Sequence, residues 1–270
     1  MKLFEVIDQY VRSRSFKSLA ESSKRQYSEV LTKFELRYGM NEIDTIKRSD
    51  IVGMLDEMSS TPAMANRFVR VTSVLFSFAL DHDYVTGNPA SRLKKMKIGS
   101  WARWYPEEVA KVIALKDRVV STAVALAWYT GQRESDVLDM KWSDISRGSI
   151  RVKQHKTGKI MLIKIHPDLA LYLKSIPKDG PYIVSGEKPM TTASFRSVFR
   201  PKIIEAGINK TFHGIRKGVG AFLAESGASA NEIGALLGHS GLAMATVYTR
   251  QADESKLISS AVDSMPELVY

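Results

Sequence analysis

SIRVKQHKTGKIMLIKI, residues 149–165, is the stretch of sequence that most constrains the fold. Two runs rich in β-branched and apolar residues, SIRVKQH and KIMLIKI, flank the turn sequence KTGK and predict a β-hairpin with Gly158 at its tip. Apolar residues elsewhere recur at spacings of three and four, which is typical of amphipathic helices. The sequence therefore predicts a mainly α protein with one small antiparallel β-sheet in its second half.

Residues 1–90 predict a compact bundle of helices. Ser49 or Asp50 is placed to cap the third helix, and Pro62 to begin the fourth. The apolar stripes of the four predicted helices begin at Leu3, Tyr27, Ile51 and Phe68.

A basic, glycine-containing segment follows the bundle and is predicted to be an interdomain linker. Pro106 and two glutamates then mark the first turn of a new helix. After the hairpin, helical patterns resume at 191–206, 211–226, 230–237 and 252–263. The predicted domains are therefore a helical bundle at 1–90, a linker at 91–104 and a mixed, mostly helical domain at 105–270.

The charge of the chain favours a polyanionic partner. Lys and Arg number 39 against 29 Asp and Glu, which gives a net charge of +10. Residues 145–167 contain no acidic residue, and a second basic cluster, SRLKKMK, occupies 91–97. Each cluster alone is more often a solvated face, but together with the net charge they predict DNA contacts. The candidate DNA-binding residues are Arg92, Lys94, Lys95, Lys97, Lys153 and Lys159.

Composition also excludes several classes of protein. The chain has no cysteine, so disulfides and thiolate metal sites are excluded, which fits a reducing cytoplasm. No apolar run approaches the ~20 residues of a membrane span, so no membrane partner is expected. The 44% hydrophobic and 25% charged fractions are those of an ordinary soluble globular protein.

Six residues of the second half could together cleave a phosphodiester without a metal. Such cleavage needs a nucleophile, charge stabilisation of the phosphorus and a proton for the departing oxygen. Arginines can hold phosphate oxygens, histidine and lysine can transfer protons, and tyrosine can form a phosphate ester. The residues are, in chain order, Arg133, Lys156, His213, Arg216, His239 and Tyr248.

A non-catalytic interpretation competes for part of this set. The stretch at 230–250 has the helix, glycine turn and helix of a helix-turn-helix DNA reader. In that case Tyr248 contacts the DNA backbone or packs in the protein core, and the protein is a non-catalytic regulator.

The order and spacing of five motifs strongly resemble the tyrosine recombinases, the family of phage integrases and Xer-type recombinases. The motifs are TGQRESDVL, the hairpin KTGK, HGIR, LLGH and a tyrosine nine residues after that histidine. SLAESSKRQYSEVLTKF, at 18–34, is similar to the opening of the family's core-DNA-binding domain. The resemblance implies a helical core-DNA-binding bundle and a mostly helical catalytic domain with a small sheet, clamped around DNA.

The resemblance also implies a role for each residue of the phosphate site. Arg133 and Arg216 hold the scissile phosphate, His239 donates a hydrogen bond to it, and Asp136 orients the site. Tyr248 becomes the 3′-phosphotyrosine.

Proton transfer is assigned to two further residues by the same resemblance. His213 assists as acid or base, and Lys156 protonates the 5′ leaving oxygen. Lys153 and Lys159 are rivals for that role, but Lys156 best matches the hairpin position.

The function implied is site-specific recombination that integrates or excises a phage or similar mobile element. The implied partners are double-stranded DNA attachment sites and a homotetramer on DNA, with DNA-bending accessory proteins as possible additions. No metal or cofactor is expected, and the location is the cytoplasm of a bacterial or phage-infected cell.

A Xer-like resolvase is the nearest alternative, and a type IB topoisomerase shares the chemistry without needing paired sites. The core-binding pattern begins at the first residues, so either the integrase is a simple one or the chain is a fragment of a longer one.

Overall fold

The computed structural model describes residues 1–239, 241, 246 and 248. The chain divides into two compact units, Met1–Gly99 and Ser100–Tyr270. The predicted linker at 91–104 spans this boundary, and the predicted helix at 252–263 lies outside the described residues. Within the described part, no helix combines the length and the hydropathy needed to cross a lipid bilayer.

The first unit is helical, as predicted. The third predicted helix begins at Arg48, so neither Ser49 nor Asp50 is its N-cap; Asp50 instead accepts a hydrogen bond from the main-chain nitrogen of the N-cap residue, Lys47, at 2.7 Å and so stabilises the first turn. Pro62 is the first residue of the fourth. The short second helix was not predicted, because four residues carry no periodic signal. The helices are α1 (Leu3–Arg12), α2 (Arg14–Lys17), α3 (Glu21–Tyr38), α4 (Arg48–Glu57) and α5 (Pro62–Asp81).

The apolar stripes of these helices meet in one core. Phe34 of α3 packs edge-on against Phe68 of α5, with ring centroids 5.7 Å apart, and against Phe76 at 6.2 Å. Leu3 and Ile51 are fully buried in the same cluster. Burial of these stripes is therefore what stabilises the bundle.

The second unit combines helices with the predicted hairpin. Ser149–Lys153 (β2) pairs antiparallel with Ile160–Lys164 (β3), and a two-residue strand, Ile145–Ser146 (β1), pairs with β2 on its other side. Gly158 lies in the turn at φ +69°, the left-handed region that glycine tolerates. The helices are α6 (Pro106–Ala114), α7 (Arg118–Thr130), α8 (Glu134–Leu138), α9 (Pro167–Ser175), α10 (Thr192–Glu205), α11 (His213–Glu225) and α12 (Ala230–Leu237).

Helix α7 forms the centre of the second unit. Its residues from Val120 to Ala127 are all buried, which is expected of a helix that is apolar on every side. Helices α6, α8, α9, α10 and α11 all contact it. Gly131 ends the helix at φ +66°, so the chain turns sharply into the next segment.

The glycines that crowd α11 allow main chain to pack directly against the helix. A Cβ at Gly214 would overlap the carbonyl oxygen of Ala102, and one at Gly218 would overlap that of Trp104. Trp104 donates its main-chain N–H to the Gly214 carbonyl at 3.2 Å and its indole N–H to the Thr211 carbonyl at 2.9 Å. The segment at 102–104 is thereby fixed on α11.

We expect Gly218→Ala to destabilise the second unit by about 1–3 kcal/mol, because the added methyl collides with main chain that cannot move independently. All four tryptophans, 101, 104, 128 and 142, lie in the second unit, so denaturant unfolding followed by their fluorescence measures it selectively.

Gly53→Ala is the matched control, since Gly53 lies inside α4 with nothing within 4 Å of an added Cβ. It should leave the fluorescence transition unchanged and stabilise the first unit by up to about 1 kcal/mol in calorimetry. Equal fluorescence midpoints for Gly218→Ala and the wild type would show that α11 does not depend on this contact.

Candidate active site

The first arginine of the candidate site lies where α7 gives way to α8. Arg133 is the residue before α8, and its side chain is 22% exposed. Its nearest carboxylate is that of Asp136, with 3.9 Å between Nη1 and Oδ2. The other oxygen of Asp136 accepts a hydrogen bond from the main-chain nitrogen of His155 at 2.9 Å. Asp136 therefore connects the Arg133 segment to the hairpin.

Arg216 is buried in the first turns of α11, with 2% of its surface exposed. Its Nη1 donates to the Gly131 carbonyl at 2.8 Å, and its Nη2 donates to the Leu237 carbonyl at 2.7 Å. Burial lowers the pKa of Arg216 to about 10, and the charge of Arg133 lowers it as well, while a hydrogen bond that Arg216 donates to Tyr248 opposes both effects. Arg216 is therefore still protonated at neutral pH.

His239 follows α12 after Gly238, whose left-handed backbone ends that helix. Its Nε2 lies 2.8 Å from Nη2 of Arg216. Since a guanidinium only donates, Nε2 must be the acceptor and the ring proton must be on Nδ1. Nδ1 is buried and has no hydrogen-bond partner among the described residues. Burial and the charges of Arg216 and Arg133 lower the pKa of His239 to about 4, so the ring is a neutral donor.

Tyr248 lies against this pair and is 9% exposed. Its ring stacks on that of His239, with centroids 5.6 Å apart and an interplanar angle of 12°. A Cβ at Gly220 would overlap the tyrosine ring, so this glycine of α11 makes room for it. Tyr248 belongs to a small apolar cluster with Val219 and Leu237 of the same chain.

His213 and Lys156 lie at the exposed side of the same site. His213 is the first residue of α11, and its ring meets the edge of the Trp101 ring at 6.4 Å. Loss of solvent around the ring lowers the pKa of His213, and the charges of Arg216, Arg133 and Lys156 lower it further. Lys156 lies in the turn between β2 and β3 and is exposed. Its charge is close enough to act on the His213 ring.

The structure thus brings the six predicted site residues together in the second unit. Lys153 ends β2 and is exposed, and Lys159 lies in the turn, where its charge lowers the pKa of His239. The other four predicted DNA-binding residues are exposed in the first unit, and they are Arg92, Lys94, Lys95 and Lys97.

Two buried glutamines of the site were missed from the sequence. Gln132 is 1% exposed and Gln154 is fully buried. A signal was present, because Ile150 and Val152 are the inward-facing residues of β2 and Gln154 continues that alternation. A polar residue at an inward position is a candidate for a specific buried hydrogen bond.

Comparison with known proteins adds a family match. The model of the phage integrase family matches residues 105–255. The chain is 24% identical to a tyrosine recombinase of Thermosipho africanus, over 88% of this chain and 91% of the relative. It is 28% identical to an integrase of Enterobacteria phage 434, over 76% of this chain but only 64% of that protein's length. A solved lambda integrase tetramer bound to a Holliday junction superposes with a TM-score of 0.82 at 22% identity, covering 94% of this chain and 79% of the integrase chain.

We expect the His239 imidazole of the DNA-free protein to titrate near pH 4, below the ordinary value of 6.5. Carbon-detected NMR of the ring measures this, and His239→Gln assigns the resonance. Because the folded-state pKa is the lower one, the unfolded chain binds the proton first as the pH falls. The free energy of unfolding should therefore decrease from about pH 6.5 toward pH 4, and by less in His239→Gln. A midpoint at or above 6.5 would contradict the buried contact with Arg216.

Proposed function

This chain belongs to the phage integrase family, which consists of tyrosine recombinases that cut and rejoin DNA, and we propose that it recombines double-stranded attachment sites to integrate or excise a phage or similar mobile element. The observation that carries the proposal is the buried Arg216–His239–Tyr248 cluster facing Arg133, His213 and Lys156.

Tyr248 is the proposed nucleophile. Its hydroxyl oxygen attacks the scissile phosphorus, a bond forms between tyrosine and phosphorus, and the bond from phosphorus to the 5′ oxygen breaks. The product is a 3′-phosphotyrosine and a free 5′ hydroxyl. Neutral His213, with its lowered pKa, is available to take the tyrosine proton. Attack by the 5′ hydroxyl of a partner strand reverses the step and restores the tyrosine.

Charge stabilisation comes from the two arginines and His239. Their donors meet the non-bridging oxygens, where negative charge grows in the transition state. Arg216 is held by two main-chain carbonyls before any substrate binds, so little reorganisation is required. The buried Nδ1–H of His239 can donate to a phosphate oxygen.

Lys156 is the proposed general acid. A 5′ alkoxide is a poor leaving group because its conjugate acid has a very high pKa, so a positioned proton donor accelerates its departure. The charge of Lys156 lowers the pKa of His213, whereas Lys153 is not among the groups that do so, which supports this assignment over Lys153.

The proposal extends to assembly and to binding outside the active site. Recombination of two duplexes joins four strand ends, so the proposed active species is a tetramer on DNA, with DNA-bending proteins as further partners. We propose that residues 1–90 bind core DNA and that 91–104 joins them to the catalytic unit, with its last residues, 102–104, fixed on α11. We also propose that six exposed basic side chains contact DNA phosphates: Arg92, Lys94, Lys95, Lys97, Lys153 and Lys159.

Tyr248→Phe tests the nucleophile. The change removes one oxygen and keeps the ring stacked on His239, so folding and DNA binding should persist while the covalent adduct on a nicked suicide substrate disappears. Tyr129→Phe is the matched control, since that hydroxyl donates to Asp168 at 3.2 Å, and it should form adduct at the wild-type level. An adduct that survives Tyr248→Phe would move the nucleophile elsewhere.

Lys156→Ala tests the general acid. General-acid assistance is typically worth ~10²–10⁴-fold, so cleavage should slow by about that factor in single-turnover assays. A substrate with sulfur in place of the bridging 5′ oxygen has a leaving group that hardly needs a proton. On this 5′-sulfur substrate Lys156→Ala should recover most of the wild-type cleavage rate, whereas Arg133→Ala and Arg216→Ala should stay slow. Rescue of Lys159→Ala in place of Lys156→Ala would show that the wrong lysine was chosen.

A further inference from the structure

A pair of buried side-chain amides connects the parts of the site that lie far apart in the sequence. The Nε2 of Gln154 donates to Oε1 of Gln132 at 2.8 Å. Gln132 immediately precedes Arg133, and Gln154 lies two residues before Lys156. One hydrogen bond therefore joins the arginine segment to the turn that carries the lysine.

The orientation of both amides is determined by their other partners. Nε2 of Gln154 also donates to the Leu237 carbonyl at 3.0 Å. Nε2 of Gln132 donates to the carbonyls of Thr130 and Leu236, both at 2.9 Å. Because main-chain carbonyls only accept, the amide nitrogens must face them. Both amides are thereby fixed in one orientation.

Gln154 also closes the turn around Lys156. Its main-chain nitrogen donates to the Lys159 carbonyl at 2.9 Å, and its main-chain oxygen accepts from Gly158 at 2.8 Å. Its side-chain oxygen accepts from the Thr157 hydroxyl at 2.8 Å. Lys156 lies in this turn and its side chain is exposed, so the turn determines where the side chain starts and which atoms its ammonium can reach.

The turn is attached to the same carbonyl that holds Arg216. The Leu237 oxygen accepts from Nε2 of Gln154 and from Nη2 of Arg216, the latter at 2.7 Å. A Cβ at Gly238 would overlap the Gln154 amide, so the amide is packed directly on main chain one residue before His239. A displacement of Gln154 is therefore a displacement of Lys156 relative to the phosphate-binding groups.

We propose that Gln154 is a positioning residue for the leaving-group step, and that its amide sets where Lys156 delivers its proton. The inference rests on the proposed role of Lys156. A hydrophobic residue at 154 would fill the space but leave the Leu237 carbonyl and the Gln132 oxygen with one donor fewer each. A misplacement of about 1 Å in an active site can cost ~10²-fold in rate.

Gln154→Met is the direct test, because methionine nearly conserves volume while it removes all side-chain hydrogen bonds. Single-turnover cleavage of the oxygen substrate should slow by about 10- to 10²-fold, with DNA affinity retained. On the 5′-sulfur substrate most of the rate should return. The double variant Gln154→Met, Lys156→Ala should be no slower than Lys156→Ala alone, because the first residue acts through the second.

Thr157→Val provides a second variant that leaves the buried core intact. It removes only the hydroxyl that holds the Gln154 oxygen and should show a smaller slowdown, again recovered with sulfur. Leu162→Ala, at an exposed position of β3 (70% exposed), is the control for a general disturbance of the hairpin and should cleave both substrates at the wild-type rate.

The outcomes separate this inference from the proposed function. If sulfur rescues Lys156→Ala but neither Gln154→Met nor Thr157→Val, the positioning role is overturned and the general acid stands. If sulfur fails to rescue Lys156→Ala itself, the general-acid assignment is wrong and the inference fails with it. A double variant markedly slower than Lys156→Ala would show that Gln154 acts on other groups.

Discussion

The burial of the Arg216 guanidinium is the constraint on which the site depends. A buried cation is stable only when its donors are satisfied, and here the partners are the ends of two helices and a histidine. Gly131 ends α7, and Leu237 ends α12, so their carbonyls are the acceptors that a helix C-terminus leaves unpaired. The hydrogen bonds of Arg216 therefore require α7, α11 and α12 to meet at one point. His239 follows α12 by two residues, so the same meeting places its ring beside Arg216.

The same arrangement leaves the site rich in positive charge. Burial together with the charge of Arg133 lowers the pKa of Arg216 and of His239, and the charges of Arg133 and Lys156 act on His213. Each lowered pKa results first from burial and then from repulsion by the neighbouring cations. A phosphate would relieve that repulsion. The electrostatics thus favour an anion between the arginines, and they keep the histidines of the free protein neutral near pH 7.

The glycines of α11 determine how closely neighbouring segments approach that helix. Gly214 and Gly218 let the segment at 102–104 lie on α11, while Gly220 leaves room for the Tyr248 ring on the same helix. Helical glycine costs ~1 kcal/mol relative to alanine. Here that cost is compensated by close contacts on both sides of the helix that carries His213 and Arg216.

The sequence by itself determined the helical stripes of the first unit and the hairpin around Gly158, because these are recorded in local periodicity and turn residues. Motif spacing also predicted the six candidate site residues, which the structure brings together in the second unit. It did not reveal the two-residue strand β1, α9 or the amide pair of Gln132 and Gln154. Only the tertiary structure decided these. It also gave the reason for the glycines of α11, where a side chain would collide with Trp104 or Tyr248. The physical reason is that each depends on a partner distant in the chain, and the cost of burying an amide or the benefit of omitting a side chain arises only when that partner is in place.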